Sequence, residues 1–309
     1  MNRPSVSRVR RRTSAPTFPA LRFLLPLTSA LALAGFGVVA DRPARAGEVQ
    51  AAPVVAPAEA AVALDVVESK GSYESQGKTI SIETYEPKAP GKYPAVLVIH
   101  GAGGMTIGGP LFRESARLLA KRGYVAHIVH YFDLTGTKIA DLPTMKANFP
   151  AWMKAVADGV TNVSKQKNVD PDRVGLLGFS LGSYLSLSLS MYDPRVLAVV
   201  EYFGGLPDVL VKDVKTLPPT LILHGDADRI VPVSEAKALE KLFQEKKVPY
   251  EVCIYQGQGH GFLGEPGLDA IRRSLAFFDK HVKSARPAAP KRATSAVPSP
   301  ETYAGLAKG

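Results

Sequence analysis

The sequence predicts an α/β domain built on a mostly parallel central sheet of about eight strands, with helices on both faces. Apolar runs of strand length alternate with amphipathic stretches of helix length through the middle of the chain, as in a parallel sheet that is covered on both sides. The chain has 309 residues, of which 46% are hydrophobic, so a single large core can be buried. We therefore expect one folded domain over residues 71–283.

The predicted strands and helices follow one another in a regular order. A hairpin is expected over residues 72–85, with its turn at Gln76 and Gly77. The other strands are apolar runs that end at turn residues, at 95–100, 124–130, 173–178, 196–202, 221–223 and 250–255. The helices are the stretches with helical spacing between them, at 111–121, 149–167, 181–192, 234–246 and 268–282. This order predicts that the hairpin forms an antiparallel edge of the sheet.

The two ends of the chain differ in composition from its middle. Residues 1–46 begin with several arginines, continue with an uncharged run at 23–40 and end in an Ala-Arg-Ala cleavage pattern, which is typical of an export signal peptide. An Ala/Pro-rich linker is expected over 47–70 and a disordered tail over 284–309. We expect an exported protein, periplasmic or secreted, and the alternative is a membrane anchor formed by the uncleaved run.

The net charge of +10 comes from the two ends of the chain. Residues 1–46 hold eight arginines and one acid, and residues 284–309 hold four basic residues and one acid, so 26 basic and 26 acidic residues remain between them. A neutral body without a basic stripe argues against nucleic acid as a partner. We expect a small-molecule ester substrate, and contact with a membrane only through the N-terminal signal or anchor.

The segment Gly178-Phe179-Ser180-Leu181-Gly182 lies between a predicted strand and a predicted helix. A sharp turn at such a junction lifts the central serine above the strand ends, and glycines on both sides leave room for the turn. The bare pattern also occurs in ordinary turns, but the strand before it and the helix after it favour a nucleophile. Ser180 is therefore our candidate nucleophile.

A serine hydroxyl needs a base that removes its proton. Among the six histidines, His260 is the best placed, because it lies in the glycine-rich loop 257–262 between the last strand and the last helix. The acid that orients this base is expected between the serine and the histidine in chain order. Asp226 and Asp228 both lie there, and their spacing leaves the choice open.

The segment His100-Gly101-Ala102-Gly103-Gly104 follows a predicted buried strand. Such a loop presents backbone N–H groups to the negative oxygen that forms during acyl transfer, and we expect those of Ala102 and Leu181 to form this oxyanion hole. The segment lacks the pattern of a phosphate-binding loop, and this chemistry needs no cofactor. The histidines and the single cysteine lack the spacing of zinc ligands, so we expect no metal.

Together these segments resemble the dienelactone hydrolase family of α/β hydrolases, over roughly residues 71–282. The similarity lies in four segments, at 98–104, 178–182, 224–232 and 259–262. It implies the α/β-hydrolase fold, and it implies that the acid is Asp228, the third residue after Gly225. Family members that act on dienelactone have a cysteine in place of Ser180 and a glutamate near the position of Gly101.

The candidate residues and the resemblance together imply a serine hydrolase that cleaves carboxylic esters through an acyl-enzyme on Ser180. A peptidase or acyltransferase of the same fold is an alternative, because the same groups serve amides and other acceptors. A non-catalytic binding protein is a further alternative, because a fold does not determine a function. We expect specificity to depend on loops at 106–110, 133–150 and 204–215.

Overall fold

The computed structural model describes residues 63–284, so the predicted signal peptide, most of the linker and nearly all of the tail lie outside the described residues. The strands of this part are β1 (Val66–Ser75), β2 (Lys78–Pro87), β3 (Tyr93–Ile99), β4 (Val125–Val129), β5 (Val169–Phe179), β6 (Val196–Tyr202), β7 (Thr220–Gly225) and β8 (Tyr250–Tyr255). They form one sheet in the order β1-β2-β4-β3-β5-β6-β7-β8. This sheet confirms the predicted fold class.

The α-helices between residues 63 and 284 follow the strands in alternation. They are α1 (Gly104–Lys121), α2 (Leu142–Val163), α3 (Leu181–Ser190), the short α4 (Asp208–Val211), α5 (Ser234–Lys246) and α6 (Glu265–Phe278). In this described part of the chain, no helix combines the length and the apolar character needed to cross a membrane.

The sheet is antiparallel at one edge and parallel elsewhere. Strands β1 and β2 pair along their full length through a turn in which Gln76 and Gly77 have positive φ values of 50° and 72°. Strand β2 pairs antiparallel with β4, and the neighbours from β4 to β8 pair in parallel. The carboxyl ends of these parallel strands therefore meet at one edge, where open α/β sheets bind their ligands.

Helices cover both faces of the sheet. On one face α2, α3 and α5 pack in a core that includes Trp152, Leu185 and Phe243. On the other face α1 and α6 pack in a core that includes Phe112 and Phe278. All five side chains are buried, and burial of apolar surface at roughly 25 cal/mol per Å² is the main contribution that stabilises such a layered fold.

Two helices begin earlier than the sequence predicts, which corrects two of the predicted loops. Helix α1 starts at Gly104 instead of residue 111, and α2 starts at Leu142 instead of residue 149. The start of α1 is rich in glycine and contains Pro110, and both features predict a loop because these residues have low helix propensity. Buried contacts of its glycines outweigh this propensity in the folded domain. The start of α2 is capped by Asp141, whose side chain accepts a hydrogen bond from the Thr144 N–H at 2.9 Å.

The domain also begins before residue 71. Strand β1 starts at Val66, inside the predicted linker, and residues 66–70 pair with residues 83–87. These residues of the edge strand are mostly exposed, so the sequence shows no alternation of apolar and polar residues there. At the other end, α6 covers Glu265–Phe278 and a π-helical turn follows at Asp279–Lys283, where the sequence predicts one helix over 268–282.

Candidate active site

Ser180 is the residue between strand β5 and helix α3. Its backbone has φ 54° and ψ −118°, a conformation that residues other than glycine rarely adopt and that costs about 1–3 kcal/mol. Its N–H donates a hydrogen bond of 2.9 Å to the carbonyl oxygen of Tyr202, at the end of β6. The sheet therefore holds a strained turn that places Ser180 at the carboxyl edge.

The glycines on both sides of Ser180 are required by close packing. A β-carbon on Gly178 would lie 2.5 Å from the carbonyl oxygen of Gly182. A β-carbon on Gly182 would lie 2.0 Å from the carbonyl oxygen of Ile99, at the end of β3. Neither position can carry a larger residue unless backbone atoms move, which explains why the serine has glycine two residues away on each side.

Asp228 and His260 form a hydrogen-bonded pair. The distance between His260 Nδ1 and Asp228 Oδ2 is 2.8 Å. The other carboxylate oxygen of Asp228 accepts hydrogen bonds from the N–H groups of Ile230 and Val231, at 2.8 and 3.0 Å. The Asp228 side chain is completely buried, whereas 17% of the His260 side chain is exposed. With Nδ1 engaged by a fixed carboxylate, Nε2 is the imidazole nitrogen that remains for a second partner.

Asp226 makes a different contact, although only one residue separates it from Asp228. Its Oδ1 accepts a hydrogen bond of 2.7 Å from the N–H of Gly257. This contact joins the loop after β7 to the loop after β8, which carries His260. The structure thus brings Asp228 to the histidine, and Asp226 supports the loop on which the histidine lies.

Gly101 and Ala102 lie in the turn after β3, beside Ser180. A β-carbon on Gly101 would be 3.3 Å from the β-carbon of Ser180. The Ala102 carbonyl oxygen accepts a hydrogen bond of 2.9 Å from the N–H of Ala140, which anchors the turn. Leu181 is the first residue of α3, and the N–H groups in the first turn of a helix have no partner within the helix. Both predicted oxyanion donors therefore belong to segments that adjoin Ser180.

His100 is buried beneath this turn. Its ring stacks on that of Tyr131 with 4.1 Å between centroids, and its Nδ1 lies 2.9 Å from the carbonyl oxygen of Gly101. Burial lowers the pKa of His100 to about 4, so the ring is neutral at pH 7. Tyr131 donates a hydrogen bond of 2.7 Å to the His100 carbonyl oxygen. These contacts give His100 a supporting role for the turn.

Two further residues at this edge belong to none of the sequence motifs. Phe203 follows β6 with a φ of 43°, and its ring lies 4.6 Å from that of His260. Glu201 is the second-last residue of β6 and is completely buried. Its Oε2 accepts a hydrogen bond of 2.8 Å from the N–H of Gly204. The sequence signal for Glu201 is a glutamate inside an otherwise apolar strand, because glutamate is rarely buried.

The other buried histidines have partners within the fold. His127 Nδ1 lies 3.0 Å from Thr84 Oγ1, and His224 Nε2 lies 2.9 Å from the carbonyl oxygen of Val231. Burial lowers the pKa of both histidines. Across residues 63–284, no three His, Cys, Asp or Glu side chains are grouped as metal ligands would be.

The fold and this edge of the sheet define a class of enzyme. A mostly parallel sheet with helices on both faces, and a serine in a strained turn between strand and helix, are the features of α/β hydrolases. The family model of the dienelactone hydrolase family matches residues 81–296. The chain therefore belongs to the dienelactone hydrolase family, and it is a hydrolase that acts on ester bonds.

A curated relative and two solved structures resemble this chain over about 70% of its length. A carboxymethylenebutenolidase homologue of Xenopus tropicalis is 25% identical over 229 residues, which cover 70% of this chain and 90% of the relative. A dienelactone hydrolase-like promiscuous phosphotriesterase from metagenomic libraries has a TM-score of 0.61 at 18% identity, over 70% of this chain and 98% of that one. An esterase of Pyrobaculum calidifontis has a TM-score of 0.56 at 19% identity, over 69% of this chain and 85% of that one. The two solved structures share the fold with this chain.

Proposed function

We propose that this protein is a serine hydrolase that cleaves carboxylic esters through an acyl-enzyme on Ser180. The observation that carries the proposal is the 2.8 Å hydrogen bond between His260 and Asp228, at the sheet edge where the strained Ser180 turn lies. In this proposal His260 is the base and Asp228 orients it. The backbone N–H groups of Ala102 and Leu181 bind the oxyanion.

The proposed reaction has two halves. The Ser180 oxygen bonds to the ester carbonyl carbon while Nε2 of His260 takes the hydroxyl proton. The N–H groups of Ala102 and Leu181 stabilise the negative carbonyl oxygen, and His260 then gives its proton to the departing alcohol. In the second half, His260 takes a proton from water, the hydroxide oxygen bonds to the acyl carbon, and the acid leaves as the proton returns to Ser180.

Exposed apolar side chains support an apolar ester as the substrate. The three most exposed large apolar residues between positions 63 and 284 are Leu263, Ile230 and Ile107, at 81%, 72% and 68%. Leu263 follows His260 closely in the chain, Ile230 follows Asp228, and Ile107 belongs to the first turn of α1, after the proposed oxyanion turn. Exposed apolar side chains that follow the proposed catalytic residues so closely in the chain favour a substrate with an apolar acyl or alcohol group.

Two differences argue against dienelactone itself as the substrate. Ser180 replaces the cysteine of the enzymes that act on dienelactone, and Gly101 stands near the position of their glutamate. A side chain at position 101 would begin 3.3 Å from the Ser180 β-carbon, so this difference alters the immediate surroundings of the proposed nucleophile. We therefore propose simple carboxylic esters as the substrate class, and the Pyrobaculum structure named above is described as an esterase.

Turnover of p-nitrophenyl acetate tests the proposal. Ser180→Ala and His260→Ala should each lower kcat/KM by about 10⁴-fold, because a nucleophile and its base act as a unit. Ser69→Ala, which changes an exposed serine in edge strand β1, is the matched control and should keep the wild-type value. Undiminished turnover in either the Ser180 or the His260 variant would exclude the proposed mechanism.

Two probes distinguish the alternative functions. Cleavage of peptide p-nitroanilides without cleavage of esters would identify a peptidase. A folded protein that fails to react with a fluorophosphonate would be a binding protein with the same fold. The proposal expects reaction with the fluorophosphonate and preference for esters.

We also infer from the sequence that the protein is exported, because residues 1–46 have the composition of a cleaved signal peptide. Mass spectrometry of the mature protein should find Gly47 at its N-terminus. An uncleaved protein in the membrane fraction would instead favour an anchor at residues 23–40.

A further inference from the structure

The buried carboxyl group of Glu201 has no part in the proposed reaction. The residue lies in β6, in register with Gly178 of β5 and Ile222 of β7, and none of its surface is exposed. Within residues 63–284, its Oε1 has no hydrogen-bond partner. A glutamate buried in this way, with no cation beside it, is rare because burial of its charge is costly.

The contacts of Glu201 join three segments around Ser180. Its Oε2 accepts the hydrogen bond from Gly204 in the turn after β6. A β-carbon on Gly204 would lie 2.2 Å from the β-carbon of Ser183 and 3.1 Å from Glu201 Oε2, so the turn, helix α3 and the carboxyl group are in close contact. Ser183 Oγ accepts a hydrogen bond of 3.1 Å from the Tyr202 N–H and donates one of 2.8 Å to the Gly178 carbonyl oxygen.

The end of β6 and the turn after it contact both Ser180 and His260, the two proposed catalytic residues. The Tyr202 carbonyl oxygen accepts the hydrogen bond from the Ser180 N–H at 2.9 Å. The next residue, Phe203, has a φ of 43°, and its ring lies 4.6 Å from that of His260. A displacement of this turn would therefore move the neighbours of the nucleophile and of the base together.

We propose that Glu201 is a positioning residue, whose buried carboxyl group holds the turn after β6 where Ser180 and His260 need it. This inference rests on the proposed function of those two residues. The carboxyl group acts through the Gly204 N–H and the packing against Ser183, and it does not touch the substrate.

The surroundings of Glu201 keep its carboxyl group neutral at pH 7. Burial raises the pKa of Glu201 to about 8, against the opposing effects of the Gly204 N–H and the Ser183 hydroxyl, and the carboxylate of Glu235 on α5 adds to the rise. Within residues 63–284, the Tyr184 phenol on α3 also faces it, and none of the described groups that influence its titration is a cation. Ionisation would leave a buried charge without a counter-ion, and the turn must shift to admit water.

The pH dependence of kcat tests this proposal in the full-length wild type and in Glu201→Gln. Glutamine has the shape of the neutral acid and an oxygen for the Gly204 N–H, but it does not ionise. The two proteins should agree within about threefold at pH 7, and between pH 7.5 and 9.5 the wild type alone should lose about tenfold in kcat for p-nitrophenyl acetate as its carboxyl group ionises. An equal loss in both, or no loss in the wild type, would overturn the proposal.

Glu235→Gln is the matched second variant. It removes the neighbouring carboxylate that raises the pKa of Glu201, so the alkaline loss of kcat should remain and move to a lower pH. This measurement decides the matter even if Glu201→Gln does not fold, because a loss that stays at the wild-type pH would contradict the proposal.

Labelling by a fluorophosphonate separates a failure of this proposal from a failure of the proposed function. If the folded wild type is not labelled on Ser180, the proposed nucleophile is wrong and the role of Glu201 is wrong with it. If the wild type is labelled on Ser180 but the variants share its pH profile, the nucleophile stands and only the role of Glu201 is wrong.

Discussion

The two aspartates in the loop after β7 have separate tasks. Asp228 is buried and bonds to His260, whereas Asp226 is exposed and accepts the hydrogen bond from the Gly257 N–H. A carboxylate that holds an imidazole must keep one oxygen directed at the ring, and the N–H groups that bind the other oxygen of Asp228 fix it in that orientation. At the scale of single residues, the proposed chemistry therefore depends on only one of the pair.

Replacing each aspartate in turn by asparagine shows how much kcat depends on Asp228 and how much on Asp226. Asp228→Asn should lower kcat for p-nitrophenyl acetate by about 10⁴-fold, because an amide does not hold the required tautomer of His260. Asp226→Asn keeps an oxygen for the Gly257 N–H and should stay within about threefold of the wild type. Steady-state kinetics on the folded variants measures the two kcat values. Equal losses of kcat in Asp228→Asn and Asp226→Asn would contradict the assignment of Asp228.

The exposed Leu263, three residues after His260, leads to a prediction about substrate length. Leu263→Ser should lower kcat/KM for p-nitrophenyl octanoate by roughly five- to tenfold more than for the acetate, because a long acyl chain loses an apolar contact. Val67→Ser is the control, since Val67 is also exposed, at 41%, but lies in edge strand β1. The same ratio of octanoate to acetate turnover in all three proteins would argue against an apolar acyl site.

At the scale of elements, the turn between β5 and α3 depends on close backbone packing. Gly182→Ala should lower the free energy of unfolding by about 3 kcal/mol, because its β-carbon would lie 2.0 Å from the Ile99 carbonyl oxygen and would force β3 or α3 to move. Gly71→Ala, whose β-carbon would be 3.8 Å from Ile82 Cγ2, should change stability by less than about 1 kcal/mol. Urea denaturation distinguishes the two, and equal stabilities would show that the turn tolerates a side chain.

Sequence pattern predicts those elements whose ends have local signals. Helix α5 and strand β8 occupy their predicted bounds, because a helical apolar stripe and a short apolar run are each followed by turn residues. The first turns of α1 are helical despite two adjacent glycines and Pro110, because packing against neighbouring elements decides their conformation. Such packing lies between residues distant in sequence, so no local pattern reports it.

The same distinction applies to the candidate site. Ser180 and His260 lie in motifs that specify a turn or a loop, so the sequence alone identifies them as candidates. The importance of Glu201 comes from its hydrogen bond to the turn after β6, which packs against Ser183 of α3. The importance of Phe203 comes from its ring contact with His260 in the loop after β8. Those contacts exist only once the sheet is assembled, so no motif identifies either residue, and the one local signal is a glutamate inside an otherwise apolar strand.

At the scale of the whole molecule, the free energy of unfolding should depend on pH through Glu201. The pKa of its carboxyl group is raised from about 4.5 to about 8 by folding, so the folded state binds this proton more tightly. The resulting stabilisation is complete below about pH 4.5 and is lost as the pH rises to about 8, by at most about 1.4 kcal/mol per pH unit.

Comparison with Glu201→Gln isolates this contribution from all other titrating groups. The free energy of unfolding of the wild type should fall relative to that of the variant as the pH rises from 5 to 8, because the variant has no proton to lose at this position. Urea denaturation at several pH values measures the difference. A difference that does not vary with pH would contradict the raised pKa of Glu201.

The identity of the residue that carries a fluorophosphonate adduct tests the central claim most directly. Peptide mass spectrometry of the labelled wild type should find one adduct per chain, on Ser180, and His260→Ala should react far more slowly because it lacks the base. A folded wild-type protein that stays unlabelled, or that carries the adduct on another residue, would contradict the claim that Ser180 is the nucleophile.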